Sequence, residues 1–218
     1  PSIKLSSGKS ITLLGNGPPV LFSSGLFGTM PSFLYNNFLD DMKKEFTIVN
    51  INDITPITQN DIYDVTKSLS VDYISYISHS SFNPDILECT KINKAILFDP
   101  ICIPNLNFNG VNQQNIDNKF PILIIKAEKL YNSDPTIPDW QTPNINGNVT
   151  EIFYKNVGHP DILDDFWANF AKSYGFWDTS DGKIQKFSDW KLKRNDIKTE
   201  RKKYRKFLSK KAIEFINN

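Results

Sequence analysis

Val71-Asp72-Tyr73-Ile74-Ser75-Tyr76-Ile77-Ser78-His79-Ser80-Ser81-Phe82 decides how this chain is read. Ile74 and Ile77, interleaved with Tyr73 and Tyr76, are the β-branched and aromatic residues that suit a buried strand. The strand then gives way to a small polar turn, Ser78-His79-Ser80-Ser81-Phe82. A serine presented at a strand-to-helix turn, with a small residue two positions before it, is the pattern of a nucleophile elbow, Gly-x-Ser-x-Gly. Here Ser78 and Phe82 replace the two glycines. Ser78 is small enough, but Phe82 is bulky where the pattern lets strand and helix approach closely. A plain polar strand end is the bland alternative. A serine hydroxyl is a weak nucleophile alone, so the nucleophile reading requires a base and oxyanion donors elsewhere.

The rest of the chain supplies candidates in order. Val20-Leu21-Phe22-Ser23 reads as a central strand, and Ser24-Gly25-Leu26-Phe27-Gly28 follows it. A loop in that place donates one oxyanion N–H in such folds, which here falls to Leu26, with Ser81 as the second donor. Further strands are expected at Phe46–Ile51, Lys94–Phe98, Phe120–Ile125 and Glu151–Tyr154. Ile3–Leu5 and Ser10–Leu14 read as a hairpin around Gly8 rather than a phosphate loop, whose first glycine is missing. Helices are expected over Pro31–Met42, Asn60–Leu69 (with Asn60 as cap), Asp85 to about Thr90, Ile162–Ala171 and Asp196–Ile216. Ile101–Lys119, rich in Asn, reads as a loop. Strands alternating with helices predict an α/β fold: a mostly parallel sheet, helices on both faces, minimal or no cap, and one domain over 1–218.

Ligands in such sheets sit beyond the carboxyl ends of the strands. Leu26, Ser80, Asp99, Glu128 and His159 all follow predicted strands directly. Of the two histidines, His79 lies inside the elbow and reads as structural. His159, after Gly158, is the candidate general base, because its unperturbed pKa suits proton transfer near neutrality. The order Ser80, Asp99, His159 is that of nucleophile, acid, base. Glu128 and Asp134, after the next strand, compete with Asp99 for the role of acid.

Gly158-His159-Pro160-Asp161-Ile162-Leu163-Asp164-Asp165 resembles the Gly-His-Met-Asp-Met-Leu-Asp-Asp stretch of the chlorophyllases, a branch of the α/β-hydrolases. Lys202-Lys203-Tyr204-Arg205-Lys206-Phe207-Leu208 resembles their closing helix, and Phe98-Asp99-Pro100 their Val/Leu-Asp-Pro segment. The elbow departs from their Gly-His-Ser-Arg-Gly-Gly. The resemblance implies Asp99 as triad acid, with Glu128 as the alternative. It further implies a serine carboxylic-ester hydrolase acting on chlorophyll at its phytyl ester, without metal or organic cofactor. A general esterase or lipase for apolar esters is one alternative; a hydrolase fold that binds without turnover is another. Phe27, Met30 and Phe82, with Leu26, are candidates to line an apolar substrate pocket, and equally candidates for packed core.

Composition sets the outer bounds. Apolar residues make up 39% of 218 residues, enough for a substantial core, and Cys89 and Cys102 do not make a disulfide scaffold. No apolar run approaches a membrane span and Pro1–Lys4 shows no signal core, so a soluble intracellular protein is the expectation. The net charge of +1 hides an asymmetry: 183–211 carries thirteen Lys or Arg against three acids, leaving −9 on the remainder. Helical spacing predicts Ile197, Tyr204, Leu208 and Phe215 inward, and Arg201, Lys202, Arg205 and Lys206 outward. Such a basic face either is simply solvated or docks transiently on anionic membranes. No nucleic-acid partner is expected.

Overall fold

A computed structural model describes residues 2–101, 116–127, 145–173 and 194–218. Its centre is β5 (Ile74–Ser81), in which every residue is buried. β5 lies between β3 (Pro19–Ser23) and β6 (Ile92–Ile101), parallel to both. The sheet continues on one side through β4 (Thr47–Asn52), β2 (Ser10–Leu14) and β1 (Ser2–Lys4), and on the other through β8 (Ile122–Ala127) and β10 (Val149–Tyr154). The order is β1-β2-β4-β3-β5-β6-β8-β10. Among the described residues only β1/β2 and β2/β4 pair antiparallel; the other pairs of this sheet are parallel. A separate short pair joins β7 (Ile116–Asp117) and β9 (Ile145–Asn146).

Alternation along the strands divides the core into two layers. Val20, Phe22, Ile77, Ile96, Phe98 and Ile125 face one side, under α1 (Asn36–Met42), α3 (Asp165–Ser173) and α4 (Arg194–Asn217). Leu21, Val49, Tyr76, Ala95, Leu97 and Ile124 face the other, under α2 (Gln59–Leu69). The sequence pattern therefore finds its physical outlet: Ala95-Ile96-Leu97-Phe98 in β6 and Ile122-Leu123-Ile124-Ile125 in β8 are continuous apolar runs, as strands covered by helices on both faces require.

Several element boundaries differ from expectation. The 31–42 helix splits into a 3-10 turn, Ser32–Tyr35, and α1, while Leu34, Phe38, Leu39 and Met42 still face the core as their spacing requires. The cap of α2 is Thr58, not Asn60. Thr58 N–H donates to Asp61 Oδ2 at 2.8 Å and Asp61 N–H to Thr58 Oγ1 at 3.4 Å, a reciprocal capping box. After the elbow, Asn83 caps a 3-10 turn over Pro84–Glu88 instead of an α-helix. Phe82 is 1% exposed and packs with Ile86 and Leu87 in the core layer beneath α2. Its assignment to a substrate pocket is thereby corrected: the ring that bars a close strand-to-helix approach is spent on core packing. No helix among the described residues is long and apolar enough to cross a membrane.

Candidate active site

The β5/β6 ladder breaks where the chemistry-bearing residues fall. His79 pairs with Phe98, and the next pair is Ser81 with Ile101. Ser80 alone thus faces two residues, Asp99 and Pro100, a bulge of the kind that re-aims side chains. Both strands are left-handed at this point, with φ of 67° at Ser80 and 46° at Asp99. Such angles cost a non-glycine residue about 1–2 kcal/mol, so the surrounding contacts must hold them.

Ser80 Oγ lies 2.9 Å from His159 Nε2. On the far side of that ring, Nδ1 is 3.4 Å from Asp99 Oδ2. This separation is longer than the roughly 2.7–3.2 Å of a well-formed N–H···O bond, and such contacts commonly tighten only around substrate. The other carboxylate oxygen, Asp99 Oδ1, accepts from Ala127 N–H at 2.6 Å, fastening the acid to the end of β8. Asp99 is 1% exposed, Ser80 6% and His159 7%. Glu128, the alternative acid, lies outside the described residues.

His159 opens a 3-10 turn, His159–Ile162, and the acids around it each hold something. Asp161 Oδ2 accepts from Gly158 N–H at 2.7 Å, and Asp161 Oδ1 from Arg201 Nε at 2.6 Å. Arg201 also donates to Asn169. Asp164 Oδ1 accepts from Asn37 N–H and Nδ2, each at 2.8 Å. Arg205 donates to Leu163 O at 2.8 Å and to Asp165 Oδ1 at 3.1 Å. Arg201 and Arg205 are 2% and 5% exposed, which corrects the expectation that they face solvent. The sequence offered an acid-rich loop and a basic helix, without showing that they meet. Lys202 and Lys206 are exposed as expected. Removing one partner of a buried ion pair typically costs about 3–5 kcal/mol. Arg201→Met is therefore expected to lower unfolding stability by that order in urea titration, Arg201→Lys by less. A loss below about 1 kcal/mol would mean that the pair is not the anchor of the loop.

The other flank is the turn after β3. Leu26 and Phe27 are both left-handed, with φ of 53° and 60°. Phe27 N–H donates to Ser81 O at 2.9 Å, Ile57 N–H to Phe27 O at 3.0 Å, and Ser24 Oγ–H to Met30 O at 2.6 Å. The two candidate oxyanion residues, Leu26 and Ser81, are thus tied to each other through Phe27. A Cβ on Gly25 would lie 2.7 Å from Met30 Sδ and 3.2 Å from Tyr35 Oη, so a larger residue there would have to push the Met30 side chain aside. Met30 lines a cavity of about 310 Å³ together with Phe22, Ser24, Asn50, Ile51 and Ile54. Phe27 is half-buried and is not among the lining residues.

His79 stacks on His159 with centroids 4.6 Å apart. Its Nδ1 is 2.8 Å from Tyr35 Oη and its Nε2 3.1 Å from His159 O. His79, Asp99 and His159 offer ligand atoms within 4.8 Å of one another, a grouping dense enough for a metal ion. Both ring nitrogens of His79 are already engaged, so an ion there would have to displace those bonds. Burial, then the neighbouring His159, hold the His79 pKa well below its ordinary value. The unfolded chain takes up this proton near pH 6.5 and the folded chain does not, so stability is complete above that pH and falls as pH drops toward the folded pKa. We expect urea midpoints of the wild type to decline below about pH 6.5, and those of His79→Gln to decline less. Parallel declines would show that His79 takes up its proton as readily in the folded chain as in the unfolded one.

No family model matches this sequence, and no curated protein sequence matches it. Solved structures do match in fold. Epoxide hydrolase CorEH without ligand is 11% identical, covering 81% of this chain and 97% of that one, with a TM-score of 0.56. Naproxen esterase (carboxylesterase NP) from Bacillus subtilis is 14% identical, covering 81% and 91%, with a TM-score of 0.53. An alpha/beta fold family hydrolase from Bacillus anthracis str. Sterne is 13% identical, covering 81% and 96%, with a TM-score of 0.51. At such identities the likeness establishes the fold, that of the α/β-hydrolases.

Proposed function

We propose that this α/β-hydrolase-fold chain is a serine carboxylic-ester hydrolase. The observation that carries the reading is the 2.9 Å contact between Ser80 Oγ and His159 Nε2, at a serine held in a left-handed conformation between the sheet and the base loop. Ser80 Oγ attacks the ester carbonyl while His159 Nε2 takes its proton. The backbone N–H groups of Leu26 and Ser81 receive the oxyanion. His159 then passes the proton to the departing alcohol. Water repeats the sequence on the acyl-enzyme, releasing the acid and regenerating Ser80. Asp99 sets the tautomer of His159 and balances its transient positive charge. A hydroxyl nucleophile with a neutral imidazole suits acyl transfer.

Within that class, the resemblance of residues 158–165 to the chlorophyllases favours a large apolar ester, the phytyl ester of chlorophyll, cleaved to chlorophyllide and phytol. Purified protein is to be incubated with chlorophyll and, separately, with short p-nitrophenyl esters, and the products resolved by chromatography. Chlorophyllide and phytol support the finer substrate. Hydrolysis of the short esters alone supports a general esterase. Absence of hydrolysis in both overturns the enzymatic reading in favour of a binding role.

A further inference from the structure

We infer that Tyr35 and His79 form a positioning chain that holds the base loop at a fixed distance from the oxyanion loop, through hydrogen bonds with only one possible direction. The inference rests on the hydrolase reading for its consequence and on geometry alone for its existence. The backbone N–H of Gly25 can only donate, and it points at Tyr35 Oη from 2.9 Å. Tyr35 has one hydroxyl proton, and its other neighbour is His79 Nδ1 at 2.8 Å. That proton therefore goes to Nδ1, which must be an unprotonated acceptor. A neutral imidazole with a bare Nδ1 carries its proton on Nε2. Nε2 lies 3.1 Å from the carbonyl oxygen of His159, an atom that can only accept. Each donor meets one acceptor from end to end.

The chain starts one residue before Leu26 and ends on the backbone of His159 itself. It runs beneath the nucleophile, since His79 precedes Ser80. The rings reinforce it: Tyr35 meets His79 edge-on at 5.5 Å, and His79 stacks on His159 at 4.6 Å and 27°. Tyr35 is fully buried and His79 is 4% exposed, so water cannot replace a lost link cheaply. The titratable groups around His79 are Tyr35, His159 and, through the shared cluster, Asp99. A second proton on His79 would turn Nδ1 into a donor facing Tyr35 Oη, leaving the hydroxyl proton with no acceptor. The chain thus needs His79 neutral throughout turnover, while its stacked neighbour gains and loses a proton. Neither Tyr35 nor His79 touches the reacting atoms on this account; both act by fixing where the donors and the base stand.

Two measurements test this. Nitrogen-15 NMR of the wild-type imidazoles at neutral pH reads the bond direction without any catalysis. His79 neutral with its proton on Nε2 is expected; a charged ring, or a proton on Nδ1, overturns the chain. The second is a double-mutant cycle on a short p-nitrophenyl ester with Tyr35→Phe, His79→Asn and both together. Asn offers Tyr35 an acceptor near the Nδ1 position but cannot reach His159 O. Each single change is expected to lower kcat by about 10- to 100-fold, the scale of a misplacement of about 1 Å, with KM nearly unchanged. The double variant is expected to lose no more than the worse single, because either change already breaks the chain. Multiplying losses, or losses confined to KM, overturn the positioning role. A wild type that turns the ester over but shows multiplying losses refutes the chain alone. A wild type that turns over neither this ester nor chlorophyll refutes the hydrolase reading and the positioning role with it, while the NMR result still decides the bond direction.

Discussion

Ser80→Ala is expected to abolish ester turnover, with a loss in kcat on the order of 10⁴-fold or more, while the protein still folds. The side chain lost is small, and its hydrogen-bond partner among the described residues is the His159 ring. What remains after its removal is the oxyanion loop and the base without a nucleophile. The left-handed φ at Ser80 adds a second expectation. Ser80→Gly should be as inactive as Ser80→Ala, yet more stable than it. Glycine escapes about 1–2 kcal/mol of left-handed strain and gives back about 0.4–1 kcal/mol through the freer unfolded chain. Urea titration of the two variants reads the difference. Equal stabilities would mean that no strain is stored at the serine, and full hydrolysis by Ser80→Ala would remove the serine from the mechanism.

Asp99→Asn is expected to cost about 10⁴-fold in kcat with little change in fold. The amide oxygen can still accept from Ala127 N–H, as Oδ1 does now. The new amide nitrogen takes the position of Oδ2, 3.4 Å from His159 Nδ1, and presents a hydrogen where the ring needs an acceptor. The imidazole then carries its proton on Nε2, facing Ser80, and cannot receive another. Glu128→Gln is expected to be mild. Kinetics of the two variants side by side separates the candidate acids; a crippled Glu128→Gln with an active Asp99→Asn would transfer the role to Glu128, the residue that follows β8 in sequence.

How much of this was legible in the sequence depends on how local the cause is. Alternating apolar strands and helical spacing are local, and they gave the parallel sheet, the two covered faces and the burial of Leu34, Phe38 and Ile62. The order of Ser80, Asp99 and His159 after successive strands was also visible, because strand ends converge at one edge of a parallel sheet. The bulge that sets Ser80 against Asp99 and Pro100 was not, since it arises from the register between two strands rather than from either alone. Arg201 and Arg205 misled for the same reason. The expectation turned only the apolar residues of the helix inward and left the charged ones to solvent, although Arg201 and Arg205 stand one turn before the buried Tyr204 and Leu208. Their partners Asp161 and Asp165 lie 40 residues away in sequence. Phe82 misled differently: an aromatic ring beside a candidate nucleophile suits a pocket and a core equally, and only packing with Ile86 and Leu87 decides. Tyr35 gave no signal at all beyond its helical stretch, because its bonds depend on Gly25, in the turn after β3, and on His79, in β5, reaching it from elsewhere in the chain.

The central claim is that Ser80 is a nucleophile activated by His159. Incubating the protein with a fluorophosphonate and mapping the modified peptide by mass spectrometry tests it most directly. The account predicts one adduct, on Ser80, formed by the wild type and suppressed in His159→Ala. An adduct on another residue, equal labelling of Ser80 without His159, or a folded wild type that takes up no label would contradict it.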